Sequence, residues 1–486
     1  MEPSPVRPTH TLGRPDSGSR WEPIKKAISA PTESEDRGSR ATIPAMSHQD
    51  PLHRPRRSAV ACLVVVVALL TGACGSAPPS VSPSSAAPPS PAPASTPPSA
   101  SASAGASADS INADSIFDAV ESQVVAIRGL KPVRPVPRQI IDKTELRTMI
   151  TQQFDKDTPP EYLAANERLY KALGLIPSTS NLRTLSLDLL SGGVAAFYRD
   201  DEGKLYVVSK AGRPGATERF YFAHEYDHAL QDQHSTIFKD QHGVLDQSDR
   251  LLARQAIYEG DATLLMTQWA AANLNQADLL DLIAASSDPA AQAVLARTPA
   301  ILRDTLTFPY TTGFGYVTKV QADGGWPAVD AYFGRMPAST EQILHPEKYT
   351  AAEAPVAVTL PTDLATRLGA GWSVPLKDTF GEYQIGLWLR ESGVDQATAT
   401  AAAAGWGGDR LAVIKGPGGA WAIAMRTAWD TAADASEFQA AATTALGKAD
   451  GVARVVPGAG GKTRWIVVAS DVRTVSRVDN ALGLAG

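Results

Sequence analysis

The sequence predicts an α+β protein with a predominantly helical first part, a small β-hairpin within it, and a smaller α+β part at the C-terminal end. Three observations predict this. Apolar residues recur at three- and four-residue steps from residue 111 onward. That period switches once to strand-like alternation, around 194–209. Beyond 355, strand-like runs alternate with Ala-rich helical stretches.

Of the 486 residues, those before 109 hold 10 of the 45 Lys and Arg and 7 of the 51 Asp and Glu. The 378 residues from 109 on therefore carry 35 basic against 44 acidic side chains. This acidic balance lacks the basic stripe of a nucleic-acid binder, so no nucleic-acid partner is expected. Both cysteines, Cys62 and Cys74, precede residue 75, which leaves the folding part without a disulfide or a thiolate metal site.

Residues 46–74 read as a signal peptide. Arg54, Arg56 and Arg57 precede an apolar run from Ala59 to Ala68, and the segment ends Thr71-Gly-Ala-Cys74. The run is too short to span a bilayer, which takes about 20 residues. A Cys after Thr-Gly-Ala resembles a bacterial lipobox, with Thr71 standing where Leu is usual. The expectation is lipidation of Cys74 and a membrane-anchored, extracytoplasmic protein, or plain secretion if the lipobox is not used. Residues 1–45 are expected to be a non-translated or disordered extension, with translation starting at Met46. Residues 75–108, almost all Ser, Ala and Pro, read as a spacer. One predominantly helical domain is expected over 109–354 and a C-terminal α+β part, packed on it, over 355–486.

Ile116, Phe117, Val120, Val124 and Ile127 mark a first helix. Asp142 to Glu145 caps a second, carrying Leu146, Met149, Ile150 and Phe154 along one face. Pro159-Pro160 open a third that stops at Gly174, and Asn181 caps a fourth. Val194–Tyr198 and Lys204–Ser209 flank Asp200-Asp-Glu-Gly203 as a hairpin. A long helix starts near Thr217, and helices continue to about 349, punctuated by Pro289, Pro299, Pro309, Pro327 and Pro337. Strands are expected at Leu411–Lys415, Trp421–Arg426 and Arg464–Ser470, and Trp406–Arg410 is expected to be a turn packing the two parts together.

Chemistry is concentrated in His224-Glu-Tyr-Asp-His228. On a helix, residues four apart share a face, so both imidazoles reach one ion. Glu225 can then hold a water on that ion as general base. Two imidazoles leave zinc short of ligands, and Glu259, in Tyr258-Glu-Gly-Asp-Ala262, is the third candidate. One zinc per chain is expected. Asp261 and Asp232 compete as carboxylates orienting a histidine; Asp227 is expected to face solvent. Tyr310 and His345 are candidate oxyanion donors. His234 and His242 are expected in the connecting loop. The second hairpin strand, Leu205–Ser209, is a candidate edge for an extended peptide.

His224-Glu-x-x-His228 with Glu259 downstream resembles the gluzincin, thermolysin-like zinc metallopeptidases. A closer resemblance is to bacterial extracytoplasmic lipoproteins with this motif. It runs through Ile127-Arg-Gly-Leu130, Val194–Tyr198, His224–Gln233, Glu259–Ala262, Phe308-Pro-Tyr310, Gly324-Gly-Trp326 and Ser339–His345. Departures are Ala196 where Gly is usual and Asp227 where Thr is frequent. The resemblance implies two histidine ligands, one glutamate ligand and one glutamate base, on a zincin-like fold, with a peptide or protein substrate. Two other readings stay open. One is a catalytically inactive relative that binds a peptide or protein in the cell envelope. The other places the function in the C-terminal part.

Overall fold

The computed structural model describes residues 113–192, 194–209 and 214–484. The signal-like segment, Cys74 and the Ser/Ala/Pro spacer lie outside the described residues. No described helix is long and apolar enough to cross a membrane.

The helical part opens with α1 (Ala113–Arg128), strand β1 (Arg138–Ile141), α2 (Lys143–Asp157), α3 (Pro160–Ala172) and α4 (Leu182–Ser191). Local chemistry sets these boundaries. The Asp142 carboxylate accepts the Thr144 and Glu145 N–H groups at the start of α2, and Asn181 accepts from Thr184 at the start of α4. Gly174, at φ +73, ends the run after α3. Strands β2 (Ala196–Arg199) and β3 (Lys204–Val208) follow, then α5 (Ala216–His234) and the 26-residue α6 (Ser248–Asn273). Helices α7 (Gln276–Ser286), α8 (Pro289–Arg297) and α9 (Ala300–Phe308) lead into a π-helical turn at Pro309–Gly313. Then come α10 (Phe314–Gly334), α11 (Glu341–Leu344) and α12 (Pro346–Thr350). Gly325, at φ +68, kinks α10 two residues before Pro327.

The hairpin forms as expected, but its sheet has a third strand. The order is β1-β3-β2, with β1 parallel to β3 and β2 antiparallel. Leu205–Val208 is therefore central, and its hydrogen bonds are spent on both neighbours. The expected peptide-binding edge on this strand is corrected: β1 and β2 are the edges. β1 has four residues in a Pro-rich segment, too short to show a period of two.

The C-terminal part holds α13 (Leu364–Leu368), β4 (Ser373–Asp378), α14 (Gly381–Glu391), α15 (Gln396–Ala403), β5 (Trp406–Lys415) and β6 (Trp421–Trp429). It closes with α16 (Ala432–Ala445), β7 (Val452–Pro457), β8 (Thr463–Ala469) and α17 (Val472–Leu482). The sheet order is β4-β5-β6-β8-β7, antiparallel throughout. Alternation along the strands feeds two cores. Leu411, Val413, Ile423, Met425, Ile466 and Val468 face one, covered by α14–α16 and by Ala165 and Leu169 of α3. Ala412, Ile414, Ala422, Ala424, Val467 and Ala469 face the other, covered by α13 and α17. Because α3 belongs to the first core, the two parts of the chain share one interior.

Trp406–Arg410 is not a turn. It begins β5, with the register slipping between Trp406 and Gly408. The Gly-Gly pair answers a close approach: a Cβ on Gly408 would lie 2.3 Å from the Val356 carbonyl oxygen. Asp409 accepts the Phe380 and Gly381 N–H groups and the Trp406 indole N–H, which fixes the start of α14.

Candidate metal centre

Two helices build the site. From Phe222 to Asp232, every residue of α5 is buried, so the helix presents no solvent face there. Phe222, Tyr226, Ala229 and Leu230 pack with α1, the small sheet and Leu265 and Trp269 of α6. That fixes the rotation of α5 and turns His224 and His228 toward α6. The Nε2 atoms of the two histidines lie 3.1 Å apart. Glu259 Oε2 lies 3.2 Å from the first and 3.1 Å from the second.

This triangle fits a small divalent ion. Three donors, each about 2.0–2.1 Å from one tetrahedral ion, stand about 3.3 Å apart. Three lone pairs facing each other at this separation repel unless a positive charge lies between them. The protein's own electrostatics shows the same demand. Burial alone would lower His228, yet the Glu259 carboxylate holds it up at about 10. Burial lowers His224 to about 4. Burial would raise Glu259, but the charge of His228 and hydrogen bonds from both imidazoles draw it down to about 2. A divalent cation bound there would take the place of the proton that His228 holds, with more charge.

The histidine orientation is set by a buried chain. His228 Nδ1 donates to Gln231 Oε1 at 2.9 Å, which keeps the ring's Nε2 turned toward Glu259. The Gln231 amide NH2, with two hydrogens, is shared among Asp227, the Tyr258 carbonyl and Asp261, at 3.0, 3.0 and 3.1 Å. Arg128 holds Asp261 in a two-pronged pair at 3.0 and 2.9 Å. It also donates to Asp330 at 2.6 Å, and its guanidinium lies over the Trp326 ring. Asp261 thus acts through Gln231, as a support for His228. Asp227 does not face solvent. It is fully buried and lies 3.6 Å from Arg128, because α5 has protein on every side.

Asp232 does not orient a histidine. It accepts from the Tyr198 hydroxyl at 2.9 Å and from Arg134 at 2.8 Å. This steadies β2, and the Tyr198 backbone N–H donates to Glu225 Oε2 at 2.8 Å. The other Glu225 oxygen, Oε1, is buried and has no hydrogen-bond partner among the described residues. Burial raises the Glu225 carboxyl to about 8, with the charge of His228 opposing; a nearby dication would favour its charged form further.

Tyr310 reaches the site through the π-turn. A Cβ on Gly260 would fall 2.6 Å from the Gly313 carbonyl oxygen, and one on Gly313 would fall 2.3 Å from that of Ala256. Only glycine at both positions allows the turn to lie directly on α6. Tyr310 is thereby placed with its ring 6.3 Å from that of His224. π-turns inside helices often mark functional sites.

His345 is elsewhere, so its reading as an oxyanion donor is corrected. Its Nε2 lies 2.8 Å from Glu382 of α14. Thr340, on the same segment, bonds Asp249. Asp249 is ten residues along α6 from Glu259, about 15 Å. His345 thus ties α11 and α12 to α14. His234 ends α5 and bonds the Lys131 carbonyl, and His242 pairs with Asp200; neither joins the centre.

Sequence reasoning missed Arg128 and Gln231. Both are buried, and no local pattern in the sequence signals that. A second acidic group, Glu341, Glu353 and Asp430, already holds the Lys348 ammonium.

A cavity of about 400 Å³ opens beside Glu259 and Tyr310.

Comparison with known families gives one match. A family described as a domain of unknown function (DUF8575) matches residues 367–481, the five-stranded sheet with its helices. No curated protein and no solved structure matches the chain. The His224, His228 and Glu259 triangle lies wholly outside the matched segment.

Proposed function

We propose that the protein is a zinc-dependent peptidase acting outside the cell membrane, anchored there through Cys74. The supporting observation is the convergence of His224, His228 and Glu259 on one point, with Glu225 Oε1 buried and unpartnered beside them. A zinc ion bound there would supply the Lewis acidity that makes water a nucleophile near neutral pH. Glu225 is anchored by one oxygen to β2, which leaves the other to accept the proton from the attacking water. The same oxygen then hands the proton to the leaving amine. Tyr310 would donate to the developing oxyanion.

The test is elemental analysis with proteomic substrate profiling of wild type against Glu225→Gln. One zinc per chain in both and a loss of cleavage by about 10²–10⁴-fold in the variant are expected. Full cleavage in Glu225→Gln would reject the assigned base. Failure of the wild type to take up zinc would reject the site.

A further inference from the structure

The peptidase reading leaves the substrate open, and the cavity beside the centre narrows it. One stripe of α6 lines the cavity: Leu251, Gln255, Tyr258 and Glu259. These positions are spaced four, three and one apart, on a single helix face. From Glu259 to Leu251 the stripe runs eight residues, about 12 Å. Glu259, whose Oε2 belongs to the donor triangle, stands at one end with Tyr310. The opposite walls come from α2, α4 and α9, with Phe154, Leu190 and Leu302 among them. These walls are mainly apolar.

Size decides what enters. At about 30 Å³ per water, a cavity of about 400 Å³ equals about thirteen waters. A phenylalanine side chain has seven heavy atoms, so there is room for two bulky side chains in sequence. A polar group sits in the right place to align a chain between them. Gln255 lies one turn from Glu259 on the same face, and no hydrogen bond engages its side-chain amide among the described residues. An amide offers both a donor and an acceptor, which matches one peptide unit.

We infer that this cavity is the specificity pocket of the centre, taking a peptide segment with two consecutive bulky apolar side chains next to the scissile bond, with Gln255 pairing the peptide unit between them. The inference rests on the peptidase reading for its substrate class. Its geometry needs only the cavity and the stripe of α6. Leu302 and Gln255 are then specificity-determining residues, one through volume and one through hydrogen bonding.

The experiment measures binding, so that it reads separately from turnover. Zinc-loaded full-length protein carrying Glu225→Gln is titrated with two dansylated peptides, Ala-Phe-Leu-Ala and Ala-Ala-Ala-Ala. The apolar peptide is expected to bind at least tenfold more tightly. Adding Leu302→Trp, which fills the cavity, should remove that preference with zinc content unchanged. Adding Gln255→Leu, which keeps the shape and removes the amide, should weaken the apolar peptide about tenfold. Thermal unfolding verifies that each variant is folded, and Gln255→Leu alone decides if Leu302→Trp fails to fold. Equal affinity for the two peptides overturns the inference, as does a preference that survives in every folded variant. A preserved preference together with no cleavage by the wild type would overturn the peptidase reading and leave the pocket standing.

Discussion

The two parts of the chain bury different things. Around α5 and α6 the interior holds His224, Glu225, Asp227, His228, Gln231, Asp261 and Arg128, all within one packed region. Around the five-stranded sheet it holds mainly Trp388, Trp406, Phe438 and a row of Val, Ile, Met and Ala, with Asp378, Asp409 and Arg464 buried singly. Apolar burial stabilises roughly in proportion to area and needs no partner geometry. Buried charge is stable only when each group is matched. The core of the sheet is therefore stable through area, whereas the α5–α6 region also depends on each buried charge being matched. The two meet at the start of α6. There Asp378 of β4 accepts the Ser248 N–H and hydroxyl, and Asp249 accepts from Thr340.

Paired substitutions test this contrast most directly. Arg128→Ala and Trp388→Ala should each cost about 3–5 kcal/mol in denaturant unfolding, the first by stranding buried carboxylates and the second by leaving a cavity. Only Arg128→Ala should also weaken zinc binding, measured by competition with a chelator. If both variants lose zinc equally, the division of labour is wrong. A smaller effect is expected for Gln231→Ala, which frees His228 to rotate: zinc affinity should fall about 10–100-fold.

The sequence made the helices legible because their apolar faces repeat over three or more turns and their caps are local. The His224–His228 motif was legible for the same reason, since helical spacing alone juxtaposes the two rings. Glu259 was found by asking what a third ligand requires. Arg128 escaped because a buried arginine looks like a surface one until its partners at 261 and 330 are folded against it. Asp227 was misplaced because a helix with no solvent face gives no periodic sign of it. His345 looked catalytic by residue type, yet its place depends on where α14 lies, which local pattern does not encode. The same holds for Trp406–Arg410, where two glycines signal a turn in isolation and a bulged strand in context.

The joint between the parts yields the two smaller effects. Gly381 has φ +78, and a Cβ there would meet the Asp249 carboxylate. Gly381→Ala should lower stability by on the order of 1–3 kcal/mol in thermal or denaturant unfolding. It should do so while zinc stoichiometry stays at one. The last effect concerns pH. Burial raises Asp409 to about 6, against the hydrogen bonds that favour its charged form. Its carboxyl therefore binds a proton more readily in the folded than in the unfolded chain. This contribution grows as pH falls from 7 through 6 toward 4, and is lost as pH rises through 6. In melting curves across that range, Asp409→Asn should remove this part of the slope. An unchanged slope would assign it to other groups.

The Arg128–Asp330 pair has a consequence for synthesis. Its two ends are 202 positions apart, and they brace the chain that holds His228. A growing polypeptide that has not passed Asp330 cannot complete this brace. On the peptidase reading, this late assembly would spare the chain from digesting itself while it is being made.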